Sequence, residues 1–563
     1  MSKQQHNHPI AGNRKKPRSI CPPKKNQTIT LILLLKMRPQ LTAFLLLLAA
    51  IPLRANVKLP AIFGDHMVLQ RDMKVPVWGW ADPHESVTVT AGAIKATSTA
   101  GADGIWSVNL VGLKASDQPI DLVVTGKNTV TFHDVLVGDV WLCSGQSNMG
   151  FGLREAHNAS EEIPKADFPT LRRFAVAGKM IREPQSDCIG KWELTTPKNA
   201  GACSAVSYFF GKEILKDQKV PVGMIISSKA GTQVELWISA EALKSNPALS
   251  IYVKKLEKYL ESLQELTQQY QTDILPKWQK EHDDWLAQGG KSSKPSKPEP
   301  KRPQDPETVV VPTVLFNGMI APLVRYAIKG VIWYQGEGNV GSAALYQTLF
   351  PVLIQDWRAR WGEGDFPFIW VQLANRLPRE PEPTQTVDGW HALREAQLKT
   401  LKLPNTAQVV TVDIGEADTS HPLDKLDVGL RLSLAARHIA YGENLVYSGP
   451  VYDSFKVEGN QIRVKFKEIG SGLIIGTAPP IRLGVPPGQP AAELKGFSIA
   501  GADQKFVWAT AKIDGDCVIV SSPEVKDPKA VRYGWANNPE VNLYNKENLP
   551  ASPFRTDDWN RKP

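Results

Sequence analysis

Apolar and polar positions divide the chain into three textures. From Val57 to about His133, short alternating runs are separated by turn residues. Val75–Trp80, Ser86–Thr90 and Trp106–Leu110 read as strands, and Asp82-Pro83 and Ala102-Asp103-Gly104 read as turns, which predicts a small all-β sandwich. At Val135 the texture changes. Val135–Cys143, Val222–Ser227, Gly330–Tyr334, Phe368–Leu373 and Ala407–Val412 are apolar runs of strand length. Between them, Val206–Leu215, Ala344–Trp361 and Val428–Tyr441 show helical spacing. This alternation predicts an α/β domain, a parallel sheet with helices on both faces. Ligands of such sheets sit beyond the carboxyl ends of the strands. Ser147, Gly231 and Gln335 each follow a strand, so all three are expected at one rim. From about Tyr447 the β texture returns, with clean alternation at Gln461–Phe466 and Cys517–Val520.

A different pattern interrupts the α/β region. Tyr252, Leu256, Tyr259, Leu263, Leu266 and Tyr270 recur in steps of four and three, a heptad seam. Pro276 is expected to break it, and Trp278 and Trp285 lie one heptad apart beyond it, so an antiparallel helical hairpin is predicted. Gly289–Pro306 is rich in Lys, Pro and Ser and reads as a loop. The insertion is a lid, a dimer contact or a decoration; the sequence does not choose. The expected organisation is an upstream extension plus signal peptide (1–55), an N-terminal β-sandwich (56–133), a catalytic domain (134–445, insertion 250–306) and a C-terminal β domain (446–563).

Composition changes this picture in three places. The formal charge of +9 misleads, because the first 55 residues carry ten Lys or Arg and no acid; without those ten the balance is −1. A nearly neutral body gives no argument for a nucleic-acid partner. Met37-Arg38, an apolar run from Leu41 to Pro52 and the small Ala55 resemble an export signal cleaved near Ala55, which implies a periplasmic or extracellular protein. An uncleaved anchor built from Ile29–Leu35 and Leu41–Leu48 is opposed by Lys36, Arg38 and Pro39, so no stable membrane insertion is expected. Cys143, Cys188, Cys203 and Cys517 fit no zinc spacing. Cys188 and Cys203 form a disulfide or remain buried thiols. Sixteen tryptophans suit sugar stacking, and suit cores and interfaces equally. Nothing in the pattern sets an oligomeric state.

The candidate chemistry lies in two distant segments. Val140-Trp141-Leu142-Cys143-Ser144-Gly145-Gln146-Ser147-Asn148-Met149-Gly150 puts a serine on a glycine turn after a buried strand. Asp418-Thr419-Ser420-His421-Pro422 puts a carboxylate three residues before a histidine. An acyl-transfer site needs a hydroxyl, a neutral imidazole, a carboxylate that orients it, and fixed donors for an oxyanion. Ser147, His421 and Asp418 supply the first three. Taken singly, each segment has a plain structural alternative: Ser147 or Asn148 capping a helix, and Asp418 or Ser420 capping another. Of the ten histidines, His421 is taken as the base, with Asp418 three residues before it. Met149 stands where an α/β-hydrolase elbow carries its second glycine, which argues against that fold. Ala230-Gly231-Thr232 and Trp333-Tyr334-Gln335-Gly336-Glu337 follow two further strands and offer a close backbone N–H and a side-chain amide.

These segments resemble those of the SGNH hydrolases, and within them the sialate O-acetylesterase-like carbohydrate esterases. The likeness is carried by Phe63–Asp72, Val77–Ala81, Gly138–Met149, Ser204-Ala205-Val206, Gly231–Trp237, Trp333–Asn339 and His421–Leu432. It implies a flavodoxin-like sheet and a serine esterase that removes O-acetyl groups from carbohydrate without a cofactor or metal. It further implies Ser147 as nucleophile, His421 as base, Asp418 as its partner, and Ser147, Gly231 and Gln335 as oxyanion donors, with Asn148 in support. Gln335 stands where many of these enzymes carry asparagine. Glu337 either braces the site or competes with Asp418. Trp237 and Trp333 either line a sugar pocket or fill the core. The substrate is an O-acetylated sialic acid or an acetylated polysaccharide such as xylan; a non-catalytic sugar-binding protein would instead show a broken triad.

Overall fold

The structure is a computed structural model and describes residues 56–288, 297–303, 311–479 and 491–559. The expected leader and much of the Lys/Pro/Ser-rich stretch lie outside these residues. The N-terminal region contains β1 (Val68–Gln70), β2 (Val75–Trp80), β3 (Ser86–Ala91), β4 (Ile94–Thr99), β5 (Ile105–Leu110) and β6 (Ser116–Thr125). β2 pairs antiparallel with β5, and β3 pairs with both β4 and β6. Val87, Val89 and Ala91 face inward while the residues between them do not, as a period of two requires.

One long strand joins this region to the α/β body. β7 (Thr129–Gly145) pairs antiparallel with β6 along its first part and parallel with its central neighbours along its second. Val135–Gly145 are buried without interruption, as a central strand covered on both faces must be. The boundary expected at 133/134 falls inside this strand.

The central sheet continues with β8 (Phe168–Ala175), β9 (Trp192–Thr195), β10 (Val222–Ser228), β11 (Gly330–Tyr334), β12 (Phe368–Val371) and β13 (Thr406–Val409), in the order β13-β12-β11-β7-β10-β8-β9. Every pairing along it is parallel except β8 with β9. Alternate residues sort to opposite faces. Val140, Leu142, Val331 and Trp333 pack with helices Ala343–Trp361 and Trp390–Lys399. Trp141, Cys143, Ile332 and Tyr334 pack with helices Ala205–Gln218 and Leu426–Ile439. The expected α/β class is therefore present, with antiparallel sheets before and after it. The C-terminal sheets are tied to the body by Arg394, which donates to the carbonyls of Ala536 (2.7 Å) and Asn537 (2.9 Å), and by the paired contacts of Arg555 with Glu395.

The insertion departs from the expected hairpin. Ser250–Gln269, a π-helical turn Tyr270–Ile274 and Leu275–Ala287 form one uninterrupted helix. Pro276 does not break it, because the wider turn just before it relieves the demand for an ordinary i→i−4 bond at that point. The return path is irregular chain. Tyr270 donates to the Pro300 carbonyl (3.0 Å) and the Trp278 indole to that of Lys297 (2.9 Å). The four cysteines among the described residues are free thiols, so Cys188 and Cys203 are not bridged. No helix among these residues is long and apolar enough to cross a membrane.

Candidate active site

The ends of three adjacent strands are level: Gly145 of β7 lies opposite Ser228 of β10 and Tyr334 of β11. The segments that follow all emerge at one rim. β7 turns sharply there because Gly145 has φ +138°, and a Cβ on it would stand 2.7 Å from the Tyr334 carbonyl carbon. The Gln146 N–H donates to the Tyr334 oxygen (3.0 Å), and the next residue, Ser147, opens the short helix Ser147–Gly150. The first N–H groups of a helix have no partner within it. No loop, turn or cap hydrogen bond among the described residues uses the N–H of Ser147 or of Gly231. Gly231 has φ +70° and open space where its Cβ would stand.

His421 arrives from the opposite end of the sequence. The segment after β13 is folded by a Glu416–Thr419 bridge, by Thr419 Oγ1 accepting from the His421 N–H (3.0 Å) and by Glu416 accepting from the Leu423 N–H (2.8 Å). This sets His421 Nε2 2.7 Å from Ser147 Oγ across 274 residues of sequence. The Phe151 ring lies nearly parallel to the imidazole at 6.4 Å and 20°. Burial, then the cations Lys425 and Arg376, lower the imidazole pKa, while Glu155 opposes them. The ring is thus neutral at physiological pH. With its proton assigned to Nδ1, Nε2 presents a lone pair to the hydroxyl.

The predicted carboxylate is placed differently. Asp418 sits exposed at the tip of the 416–419 turn, and among the described residues no hydrogen bond joins it to His421. The acid whose field reaches the imidazole is Glu155, which lines the same cleft. Sequence reasoning passed over Glu155, because nothing in its local pattern separates it from any exposed acid. Phe151 and Lys425 were missed for the same reason.

The supporting residues form a buried scaffold. Asn148 donates to Glu337 Oε1 (2.5 Å) and to the Ser420 carbonyl (2.8 Å), tying the serine turn to the histidine segment. Burial above all raises the Glu337 carboxyl pKa, and Asn148, Lys425 and Arg376 oppose the shift. Beneath the site, burial pushes the Lys425 ammonium down to about 7, against the attraction of Glu337, Asp424 and Glu416. Its Nζ donates to the Pro422 carbonyl and lies 4.6 Å from the Phe151 ring centre. Gln335 is wholly buried, and both its amide hydrogens are engaged, by the Thr232 carbonyl (3.1 Å) and Asn339 Oδ1 (2.8 Å). In this geometry it braces the Gly231 loop and has no donor left for an oxyanion. Trp237 and Trp333 are core residues, not pocket walls. They meet edge-to-face at 6.0 Å with no exposure, because Trp333 falls on the face of β11 that packs against Phe350 and Trp357 of helix Ala343–Trp361.

The hydroxyl and imidazole open into a cleft of about 620 Å³, walled by Phe151, Glu155, Ala230 and Thr419 among others. No group of three or more His, Cys, Asp or Glu among the described residues is arranged to hold a metal ion. What the arrangement offers chemically is a hydroxyl with a base in contact, on a residue whose own backbone N–H is not engaged by a loop, turn or cap bond.

Comparison with known proteins agrees in kind. A family model described as carbohydrate esterase, sialic acid-specific acetylesterase, matches residues 312–438. The sialate O-acetylesterase of Rattus norvegicus is 32% identical over 455 residues, 74% of this chain and 80% of the rat protein. That of Homo sapiens is 30% identical over 434 residues, 70% of this chain and 73% of the human protein. A crystal structure of a carbohydrate acetylesterase from Xanthomonas citri aligns with a TM-score of 0.72 at 38% identity, over 90% of this chain and all of that one.

Proposed function

Because the chain belongs to the sialate O-acetylesterase family of carbohydrate esterases, we propose that its Ser147–His421 pair is the centre that removes O-acetyl groups from sugar. The protein is a carboxylic ester hydrolase. The observation that carries the assignment of the site is the 2.7 Å contact of His421 Nε2 with Ser147 Oγ at the strand rim. Ser147 Oγ attacks the acetyl carbonyl while His421 Nε2 takes its proton. The N–H groups of Ser147 and Gly231 hold the oxyanion, and Gln335 and Asn148 fix the two loops that carry them. The C–O bond to the sugar breaks as His421 returns the proton to the leaving oxygen. Water, activated by the same imidazole, then releases acetate from the acetyl-enzyme. Asp418 orients the Nδ1–H when the 416–421 turn closes over substrate; catalytic hydrogen bonds are often absent until substrate binds. The core is read as the SGNH-type arrangement, and the leader pattern of residues 37–55 supports export.

Acetate release from 9-O-acetylated sialic acid and from acetylated xylan tests the reaction and ranks the substrates. Turnover that survives intact in Ser147→Ala would falsify the site.

A further inference from the structure

A second cavity, of about 780 Å³, opens between the 340–344 segment that follows β11, the 384–391 segment that follows β12, and Asn537 of the C-terminal region. Both segments leave the carboxyl ends of their strands, so the cavity lies on the same sheet rim as Ser147. We propose that this cavity is a binding subsite for a neutral, hydroxyl-rich sugar unit of the glycan that carries the acetyl ester, a reading that rests on the esterase assignment above.

His391 carries the argument. It lines the cavity, is 2% exposed, and neither ring nitrogen has a hydrogen-bond partner. The Thr386 backbone acts on the ring, but too loosely for a hydrogen bond of good geometry. A buried polar group left unpaired is unfavourable and rare, so one in the wall of a cavity marks a place where a ligand supplies the partner. The Trp535 ring lies 4.8 Å away and holds the imidazole in place. Burial, with Arg394 and Arg532 nearby, pushes its pKa down to about 3, so the ring stays neutral. A neutral imidazole is at once donor and acceptor, which matches a sugar hydroxyl.

The rest of the wall selects against an anion. Glu380 and Asp388 line the cavity, and no Lys or Arg does. The two cations whose field reaches His391 are already engaged: Arg394 by the carbonyls of Leu373, Ala374, Ala536 and Asn537, Arg532 by both oxygens of Asp557. A sugar carboxylate would meet two like charges and no partner, whereas hydroxyls would find acceptors. Gly389 keeps the space open, since a Cβ there would stand 3.1 Å from Asn537 Oδ1 and 3.7 Å from the His391 ring. The subsite therefore favours a neutral polysaccharide chain over a sialylated one.

The test compares kcat/KM on O-acetylated xylo-oligosaccharides with kcat/KM on 4-nitrophenyl acetate, which is too small to span both cavities. His391→Phe and Asp388→Asn are each expected to lower that ratio by about tenfold, mainly through KM, since remote contacts supply binding to the larger substrate only. Asp388 is exposed, so its variant carries the test even if His391→Phe fails to fold. An unchanged ratio in Asp388→Asn and in any folded His391→Phe overturns the subsite. So does a wild-type enzyme that cleaves O-acetylated sialyllactose and ignores every neutral acetylated oligosaccharide. Absence of 4-nitrophenyl acetate hydrolysis by the wild type would instead remove the esterase reading itself.

Discussion

Gly145→Ala isolates the turn on which the site depends. The substituted residue would have to hold φ near +138°, and its Cβ would lie 2.7 Å from the carbonyl carbon and 3.0 Å from the nitrogen of Tyr334. Both obstacles are backbone atoms of a fully buried strand, so no side chain can swing aside. Retaining the turn costs about 1–3 kcal/mol of backbone strain. Separating β7 from β11 costs about 1–3 kcal/mol as overpacking. Losing the Gln146–Tyr334 hydrogen bond removes about 0.5–1.5 kcal/mol more. Together these give roughly 3–7 kcal/mol, a large part of the usual 5–15 kcal/mol of a folded domain. A displacement of Ser147 by about 1 Å adds a loss on the order of 10²-fold in turnover. Gly231→Ala is the control: its φ of +70° is also strained, but its Cβ meets nothing within 4 Å, so only the strain of about 1–3 kcal/mol applies. Urea unfolding followed by fluorescence, with 4-nitrophenyl acetate hydrolysis on the folded fraction, reads both effects. A Gly145→Ala enzyme as stable and as active as Gly231→Ala would refute the reasoning.

Four further outcomes are expected. Ser147→Ala should lose nearly all acetate release and all labelling by a fluorophosphonate while its melting temperature is kept; retained labelling would point to another nucleophile. Because burial and two cations lower the His421 pKa, the acid limb of kcat/KM should reach half height below pH 6.5, the ordinary histidine value. Removing one of those cations in Lys425→Met should move that limb to higher pH, and an unmoved or acid-shifted limb would contradict the electrostatic account. Asp418→Asn should lower kcat by about 10²–10⁴-fold if the turn closes on substrate; a small effect there, with a large one in Glu155→Gln, would transfer the orienting role to Glu155. Trp333→Ala should destabilise the fold by about 3–5 kcal/mol with little change in KM of the folded enzyme, as befits a core residue; a KM effect without a stability effect would return Trp333 to the substrate pocket.

The sequence by itself determined the elements whose signal is local. Gly330–Tyr334 emerges as a strand with the bounds its apolar run suggested, and Ala205–Gln218 and Ala343–Trp361 as helices within a few residues. A period of two or of 3.6 is written in neighbouring residues and needs no tertiary partner to be seen. The strand–helix alternation likewise fixed the rim on which Ser147 and Gly231 emerge, because parallel strands place their following segments at one end. Only the tertiary structure decided what depends on distant contacts. It ran β7 through an expected boundary, since a strand continues wherever both its neighbours can pair. It carried the Tyr252–Trp285 pattern through Pro276 as one helix, because a single π turn absorbs the proline. It turned Gln335 inward to Thr232 and Asn339, set Asp418 outward, and brought Glu155 and Lys425 to the imidazole. A side chain's direction is chosen by whichever partner lies closest in space, and spacing along the chain does not encode that choice.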